Sequence, residues 1–438
     1  MAIVTNSQSM ALERAELLRD GQSCEASIWG EASSWLALLP ALFITVSGRI
    51  QTDTGPVAFR FTAMEEDSLG RRMTRLACSL LVLFLISTRF RSILAVCKRS
   101  KLLLLLPVLA LASTLWSQNP RHTLVDSLNL VLTTLFVIYL FVRYPGDRVV
   151  SFLTLSACIS LLLCVFVVIA FPSIGIDSFQ QNAWRGIFGQ RNNCAAACAL
   201  FLVVGLHNRT HGLVEQLIRG SVIVLSFVFI AMSSSRTGFI LAIFALVLTY
   251  GLRSISKIRS LDRILFLMVL AIPSTLAAVF IGSHFNQVLA AMDKDPTMTQ
   301  RTIIWAQVLP SIAKHPLMGY GYSAFWAGLN GESMQTVLTT GWMEGQAQNG
   351  YLDTLLQLGL LGLIPLLTVF LRGFIQAATT IERDLLGPTT SLAIVLLPLI
   401  LMENIGESSL LLPLGIPWFY ALIALVILAF PEPRAEEF

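Results

Sequence analysis

Apolar residues run along this chain in blocks of about twenty, divided by short polar connections, and about twenty is the length a helix needs to cross a bilayer. The blocks fall at 33–48, 76–88, 101–117, 123–143, 149–171, 193–207, 219–234, 237–252, 263–282, 349–371, 387–402 and 411–430. They lack the strict alternation that a barrel strand needs. The expected fold is an all-α polytopic membrane protein of about twelve transmembrane helices. A polar cytoplasmic segment over 1–32, a transmembrane domain over 33–430 and a cytoplasmic tail over 431–438 complete the expected organisation. One connection, 283–348, is far longer than the rest, and loops of that length are usually functional or disordered. Within it the periodicity of Ile303, Ile304, Ala306, Gln307, Val308, Leu309 and Ile312 predicts an amphipathic helix lying on the membrane surface. Pro316 ends that helix, and Gly319 and Gly321 predict a tight turn.

Composition agrees with this pattern. Of 438 residues, 55% are hydrophobic and 13% charged, where soluble domains carry about 25% charged residues. A net charge of +4 is too small to point to nucleic acid. The seven cysteines (Cys24, Cys78, Cys97, Cys158, Cys164, Cys194 and Cys198) lie mostly inside apolar blocks and form no metal-type C-x-x-C pair. They read as small buried hydrophobes.

Lysine and arginine orient the spans. The connections 89–101, with Arg89, Arg91, Lys98, Arg99 and Lys101, and 252–263, with Arg253, Lys257, Arg259 and Arg263, mark the cytoplasmic side. An even number of spans then puts both termini inside, and 172–192, 233–238, 283–348 and 403–409 outside. Loop 49–75 fits poorly, since it would carry five arginines outside. Arg185 and Arg191 in NAWRGIFGQRNN, Arg236 in SSSRTG, and Arg301 all fall on the face where positive charge is disfavoured. A single arginine at a helix end usually just reaches for the headgroups. Four on one face, three of them beside Gly or Asn turns, favour an anion, because the planar guanidinium fork donates two parallel hydrogen bonds to a phosphate.

In order along the chain stand WRGIFGQRN, SSSRTG, R-x3-W with HPLMGYG, QNGYLDTLLQLGLLG and NIGES, spread over roughly 180–410. No one of these is specific. Their order on this helical background resembles the O-antigen ligase and Wzy-type polysaccharide polymerase superfamily, nearest the ExoQ-like exopolysaccharide polymerases. The resemblance implies a metal-independent glycosyltransferase without a cofactor, at the outer face of the bacterial inner membrane. Its substrate would be an undecaprenyl-diphosphate-linked oligosaccharide, with a flippase and a chain-length regulator as further partners. It also implies that Arg185, Arg236 and Arg301, with Arg191 beside them, hold the diphosphate. That role is sound chemistry, because preorganised guanidiniums stabilise the charge developing on a diphosphate leaving group.

Two positions depart from the family pattern. Gln348 and Gln190 stand where many relatives carry histidine. Glutamine cannot take up a proton at neutral pH, so Gln348 and Asn349 are expected to orient the acceptor. The general base stays open among Glu344, Glu407 and His315. Asp353, one turn into the tenth helix, is either functional or a structural pairing group, because ionisable residues within spans usually have partners. Trp184, Tyr320, Trp326 and Trp342, with His315, offer aromatic faces for sugars, the alternative being an interfacial aromatic belt. Two rival functions stand beside the polymerase: a ligase delivering glycan to lipid A–core, and a polysaccharide or lipid transporter. A transporter should show repeated halves and midplane charges, and the spans here are nearly free of charge.

Overall fold

The computed structural model describes residues 32–46, 69–177, 182–210, 212–255, 301–326, 331–340, 345–382 and 385–430. The helices are α1 (Ala32–Val46), α2 (Leu69–Thr88), α3 (Phe90–Arg99), α4 (Lys101–Ala112), α5 (Pro120–Arg143), α6 (Gly146–Ala170) and the single turn α7 (Pro172–Gly175). They continue as α8 (Arg191–His207), α9 (Leu213–Met232), α10 (Arg236–Ile255), α11 (Arg301–Lys314), α12 (Ser333–Thr340), α13 (Gly350–Glu382), α14 (Pro388–Glu403) and α15 (Ile416–Ala429). A two-residue antiparallel ladder, Ile176–Asp177 against Ala183–Trp184, pairs Ile176 with Trp184.

Five of these helices are long and apolar enough to cross a membrane, and a sixth span arises if the bent pair 73–88 and 90–98 is counted as one. The chain is a multi-pass membrane protein. Each expected span within the described residues is helical, with ends shifted by a few residues; the block 263–282 lies outside them, as do most of 1–32 and all of 431–438. Two connections differ from expectation. The basic stretch 89–101 is mostly helix α3, set at 85° to the preceding one. Ile93 and Cys97 are buried while Arg91 and Lys98 stay outside, so one face of a short helix was hidden among its charges. The connection expected at 372–386 is instead the last third of α13, which continues to Glu382 because Gly387 and Pro388 are the first strong breakers after it.

Helix α15 is apolar all round and almost wholly buried, as suits a helix at the centre of a bundle. It packs against α14, α13 and α5. Helix α8, rich in alanine and cysteine, is buried between α9, α10 and α14, its small side chains allowing close helix approach. A Cβ on Gly238 of α10 would lie 2.2 Å from Ala195 Cβ of α8.

The connections gather at two ends of the bundle. At one end Asp147 accepts from Thr389 Oγ1 at 2.5 Å and lies 3.6 Å from Arg209, while Arg253 donates to Leu206 O. The opposite end collects 113–126, 172–177, 182–191, 233–238, 301–326, 345–350 and 404–415. Most of these fall in connections expected on one face.

Candidate functional site

The first cluster joins NAWRGIFGQRNN to SSSRTG. Backbone N–H groups of Arg185 and Gly186 both donate to Gly175 O, at 2.9 and 3.0 Å. Gly186 has φ +58, and a Cβ there would lie 2.6 Å from Cys164 Sγ, so the turn admits only glycine. Arg185 is buried, and its Nε donates to Ile174 O at 2.8 Å. Its guanidinium therefore holds this loop onto α7. Trp184 is half-buried and packs edge-to-face on Phe229 at 5.5 Å.

Arg191 and Arg236 are each the first residue of a helix, α8 and α10. Ser235 joins the two starts: its hydroxyl donates to Asn192 Oδ1 at 2.8 Å and accepts from Gly238 N–H at 3.2 Å. A cation at a helix N-terminus opposes the macrodipole, at a cost of about 0.3–1 kcal/mol each. Arg191 is half-exposed and Arg236 exposed, and among the described residues neither guanidinium has an ion-pair partner. Two adjacent positive helix ends, each bearing an arginine, make a site that an anion would stabilise.

The second cluster binds the remaining motifs together. Arg301 Nη2 lies 2.8 Å from Glu407 Oε1, and Trp305, one turn further along α11, donates Nε1–H to Ala347 O at 3.0 Å. The R-x3-W spacing thus grips both the NIGES turn and the segment before α13. Asn349 caps α13, its Oδ1 accepting from the N–H groups of Tyr351 and Leu352 at 3.1 Å each. Its Nδ2 donates to Ile405 O, and its N–H to Ser408 Oγ. Gln348, immediately before it, sits at φ +53 with a half-buried side chain. Glu403 accepts from Ser409 Oγ at 2.7 Å and from Asn404 Nδ2 at 3.1 Å. Asp353 accepts from Trp326 Nε1 at 2.7 Å and from Ala347 N–H at 2.9 Å, which answers its sequence ambiguity on the side of a pairing group.

Between the two halves of α13 the helix is broken at Gly359, φ +61. HPLMGYG fills the break. Leu360 and Leu361 N–H donate to Pro316 O and Leu317 O, and Tyr320 and Gly321 N–H donate to Leu356 O and Gln357 O. A Cβ on Gly359 would lie 2.4 Å from the Leu317 backbone, and one on Gly319 2.6 Å from that of Gln357. Gly359 thus stands at a backbone crossing. The far side of this segment meets a region that the sequence left as a short connection. Trp116 Nε1 donates to Met318 O, Gln118 N–H to Tyr320 O, Tyr322 N–H to Ser113 Oγ and Thr123 Oγ1 to Tyr322 O.

Tyr320 is buried, its hydroxyl donating to Ser311 O at 2.9 Å, and burial pushes its phenol above the ordinary value. His315 is exposed and stands edge-on to the Tyr320 ring at 4.6 Å. Trp326 is half-buried against Phe325. A hydrogen bond to Glu332 raises the Lys314 ammonium. Glu344 and Trp342 lie outside the described residues.

Residues 221–367 match the O-antigen ligase family Wzy_C. The match runs from α9 into α13 and takes in Arg236, Arg301, HPLMGYG and Gln348, but neither Arg185 nor NIGES. Over 147 residues the chain is 29% identical to the exopolysaccharide production protein ExoQ of Rhizobium meliloti (strain 1021), covering 32% of this chain and 34% of that protein. The chain thus spans about a third of that curated relative. Together the two matches support a place for this chain in the O-antigen ligase and Wzy-type superfamily, beside its ExoQ-like members.

Proposed function

We propose that this protein polymerises lipid-linked polysaccharide repeat units, moving the growing glycan from undecaprenyl diphosphate onto the next lipid-linked unit. The observation that carries this reading is the pair of arginines, Arg191 and Arg236, at two helix starts locked together by Ser235 and Asn192. A diphosphate leaving group is the anion that such a site suits. Arg301 supplies a further cation and Arg185 holds the loop in shape. Gln348 orients the acceptor, positioned by Asn349 and the NIGES turn. Glu407 lies in this turn, paired to Arg301, and Glu344 stays a candidate from the sequence alone. His315 and Trp326 offer faces to the glycan, with Trp184 and Tyr320 as their packed support. The site faces the periplasm, covered on one side by the 301–326 segment, in an inner-membrane protein with both termini cytoplasmic. A flippase would deliver the substrate, and a chain-length regulator would set the product. The chemistry needs no metal, because the guanidiniums neutralise the charge that develops.

The relative's name, an exopolysaccharide production protein, favours the polymerase, and the family's description, an O-antigen ligase, favours the second reading, transfer to lipid A–core. The test uses purified protein in liposomes with the host's undecaprenyl-diphosphate repeat unit and EDTA. A ladder spaced by one repeat unit is expected. A single transfer to added lipid A–core would make the protein a ligase. Neither product from folded protein would favour the transporter.

A further inference from the structure

Glycosyl transfer to a hydroxyl needs a group that removes its proton, and Gln348 cannot do so. Among the described residues the remaining carboxylates near NIGES are committed: Glu407 to Arg301, Glu403 to Ser409 and Asn404. Two exposed imidazoles among the described residues lie at the same end of the bundle, His315 against the Tyr320 ring and His122, and His122 is the one with a carboxylate beside it. His122 lies in the first turn of α5, exposed, with Nδ1 3.6 Å from Asp126 Oδ2. Resting on the glycan-transfer reading above, we propose that His122 accepts the proton of the acceptor hydroxyl and that Asp126 positions its ring.

A histidine and an aspartate four residues apart are often only a solvated helix pair. Three observations separate this pair from that case. Asp126 is mostly buried, its side chain 17% exposed against 54% for His122, so the carboxylate is set and the imidazole is open. The Asp126 carboxylate accepts from Ser323 Oγ at 2.6 Å, and Ser323 is held at φ +58, a conformation that costs a non-glycine residue energy and persists only where surroundings enforce it. That enforcement comes from the motifs themselves. Ser323 follows HPLMGYGY, and its N–H donates to Gln357 Oε1 at 3.0 Å, within QNGYLDTLLQL. The helix start carrying His122 is itself fixed: Asn119 Oδ1 caps it, and Ser117 Oγ shares a 2.6 Å hydrogen bond with Thr123 Oγ1.

The charged and titratable groups facing the pair are few. Arg121 neighbours His122 on α5, Tyr322 lies near Asp126 across the packed 318–323 segment, and Ser323 and Gln357 are neutral. A Cβ on Gly331 would lie 3.2 Å from Gln118 Oε1, which brings the Lys314–Glu332 ion pair to the same side. The step is a displacement at the anomeric carbon. The acceptor oxygen forms the new bond to that carbon, and the carbon–oxygen bond to the diphosphate breaks. The diphosphate leaves with the electron pair. The hydroxyl proton passes to His122 Nε2, the nitrogen turned away from Asp126, and then to water. At 3.6 Å from Nδ1 the Asp126 carboxylate is beyond hydrogen-bond length and acts by charge, which favours the proton on Nδ1 and leaves Nε2 free to accept.

The test measures polymer formation in proteoliposomes carrying the host's undecaprenyl-diphosphate repeat unit, from about pH 5 to 8, the range in which histidines change charge. A general base must be deprotonated, so the wild-type rate is expected to fall as the pH is lowered. H122Q is expected to slow transfer about 10²–10⁴-fold, the usual worth of a positioned base, and to abolish that acid limb. D126N is expected to lose less and to move the limb. If H122Q does not reach the membrane, S323A reads the same relay, since it removes only the hydroxyl on Asp126: a moved limb supports the assignment and an unmoved one overturns it. H122Q with wild-type rate and limb overturns it outright. Wild-type protein that transfers no glycan at all overturns the glycan-transfer reading and the base with it, whereas an active wild type with an indifferent H122Q sinks the base alone.

Discussion

The hydroxyl of Ser235 donates to Asn192 Oδ1 at 2.8 Å, tying the start of α10 to the first turn of α8. Arg236 and Arg191 are thereby held at adjacent positive helix ends, while Arg185 is spent on Ile174 O. The four arginines that looked equivalent in sequence should therefore separate by experiment. Arg191→Ala and Arg236→Ala are expected to lower transfer by about 10²–10³-fold, as for other preorganised donors, with normal protein in the membrane. Arg185→Ala is expected to lower the amount of folded protein first, because it removes the buried side chain whose guanidinium ties the loop to Ile174 O and Gly189 O. Quantitative immunoblots of membranes beside the liposome assay read both. Normal abundance with full activity in Arg191→Ala and Arg236→Ala would remove the anion site.

The break in α13 gives a second expectation. Gly359→Ala and Gly319→Ala place a Cβ at positive φ, within 2.4 and 2.6 Å of backbone atoms, and backbone cannot move aside as a side-chain tip can. Both variants should fail to assemble, leaving little monodisperse protein after detergent extraction. Gly220→Ala, which meets nothing within 4 Å, is the matched control. Wild-type recovery of Gly359→Ala would show that HPLMGYG and α13 do not cross as described.

These two cases mark what the sequence could reveal. The spans were legible because a bilayer demands a minimum apolar length, and the starts of α5 and α10 follow from local capping by Asn119 and Ser235. The break at Gly359 was not, since LQLGLLG keeps an apolar helical pattern and a positive φ leaves no mark on it. Nor was α3, whose buried face is only Ile93 and Cys97 among basic residues. The site was half legible. Its motifs were visible one by one, but Arg301–Glu407, Trp305–Ala347 and Ser323–Asp126 are pairings across many residues of chain, and no periodicity encodes them. His122 was missed because SQNPRH reads as a minor connection, and Asp126 because it falls inside an apolar block. The one clue there was Asn-Pro at a helix start with two basic residues behind it.

Arg301 and Glu407 can be tested as a pair. Glu407 is 3% exposed through its side chain and Arg301 15%, so removing the cation leaves a buried carboxylate, at a cost of about 3–5 kcal/mol. Arg301→Ala should therefore lose thermal stability in detergent as well as activity. Glu407→Gln keeps an oxygen for Arg301 to donate to, and its transfer rate is expected to stay within about tenfold of wild type, the worth of one hydrogen bond to a charged group. A fall of about 10²–10⁴-fold with stable protein would instead make Glu407 the base.

Gln348 offers the cleanest separation of backbone from side chain. At φ +53 the residue occupies a left-handed conformation that costs a non-glycine residue about 1–2 kcal/mol. Gln348→Ala removes the amide and keeps that strain, whereas Gln348→Gly removes the amide and relieves the strain. If the glutamine only orients the acceptor through a neutral hydrogen bond, worth about 1 kcal/mol, Gln348→Gly should transfer glycan within about tenfold of wild type and resist heating slightly better. Its acid limb should be unchanged, because no proton passes through this position. A loss of about 10³-fold in Gln348→Gly would show that the side chain contacts the reacting atoms far more strongly than a neutral amide can through one bond. The acceptor would then be held by Gln348 rather than by the Asn349-capped turn behind it.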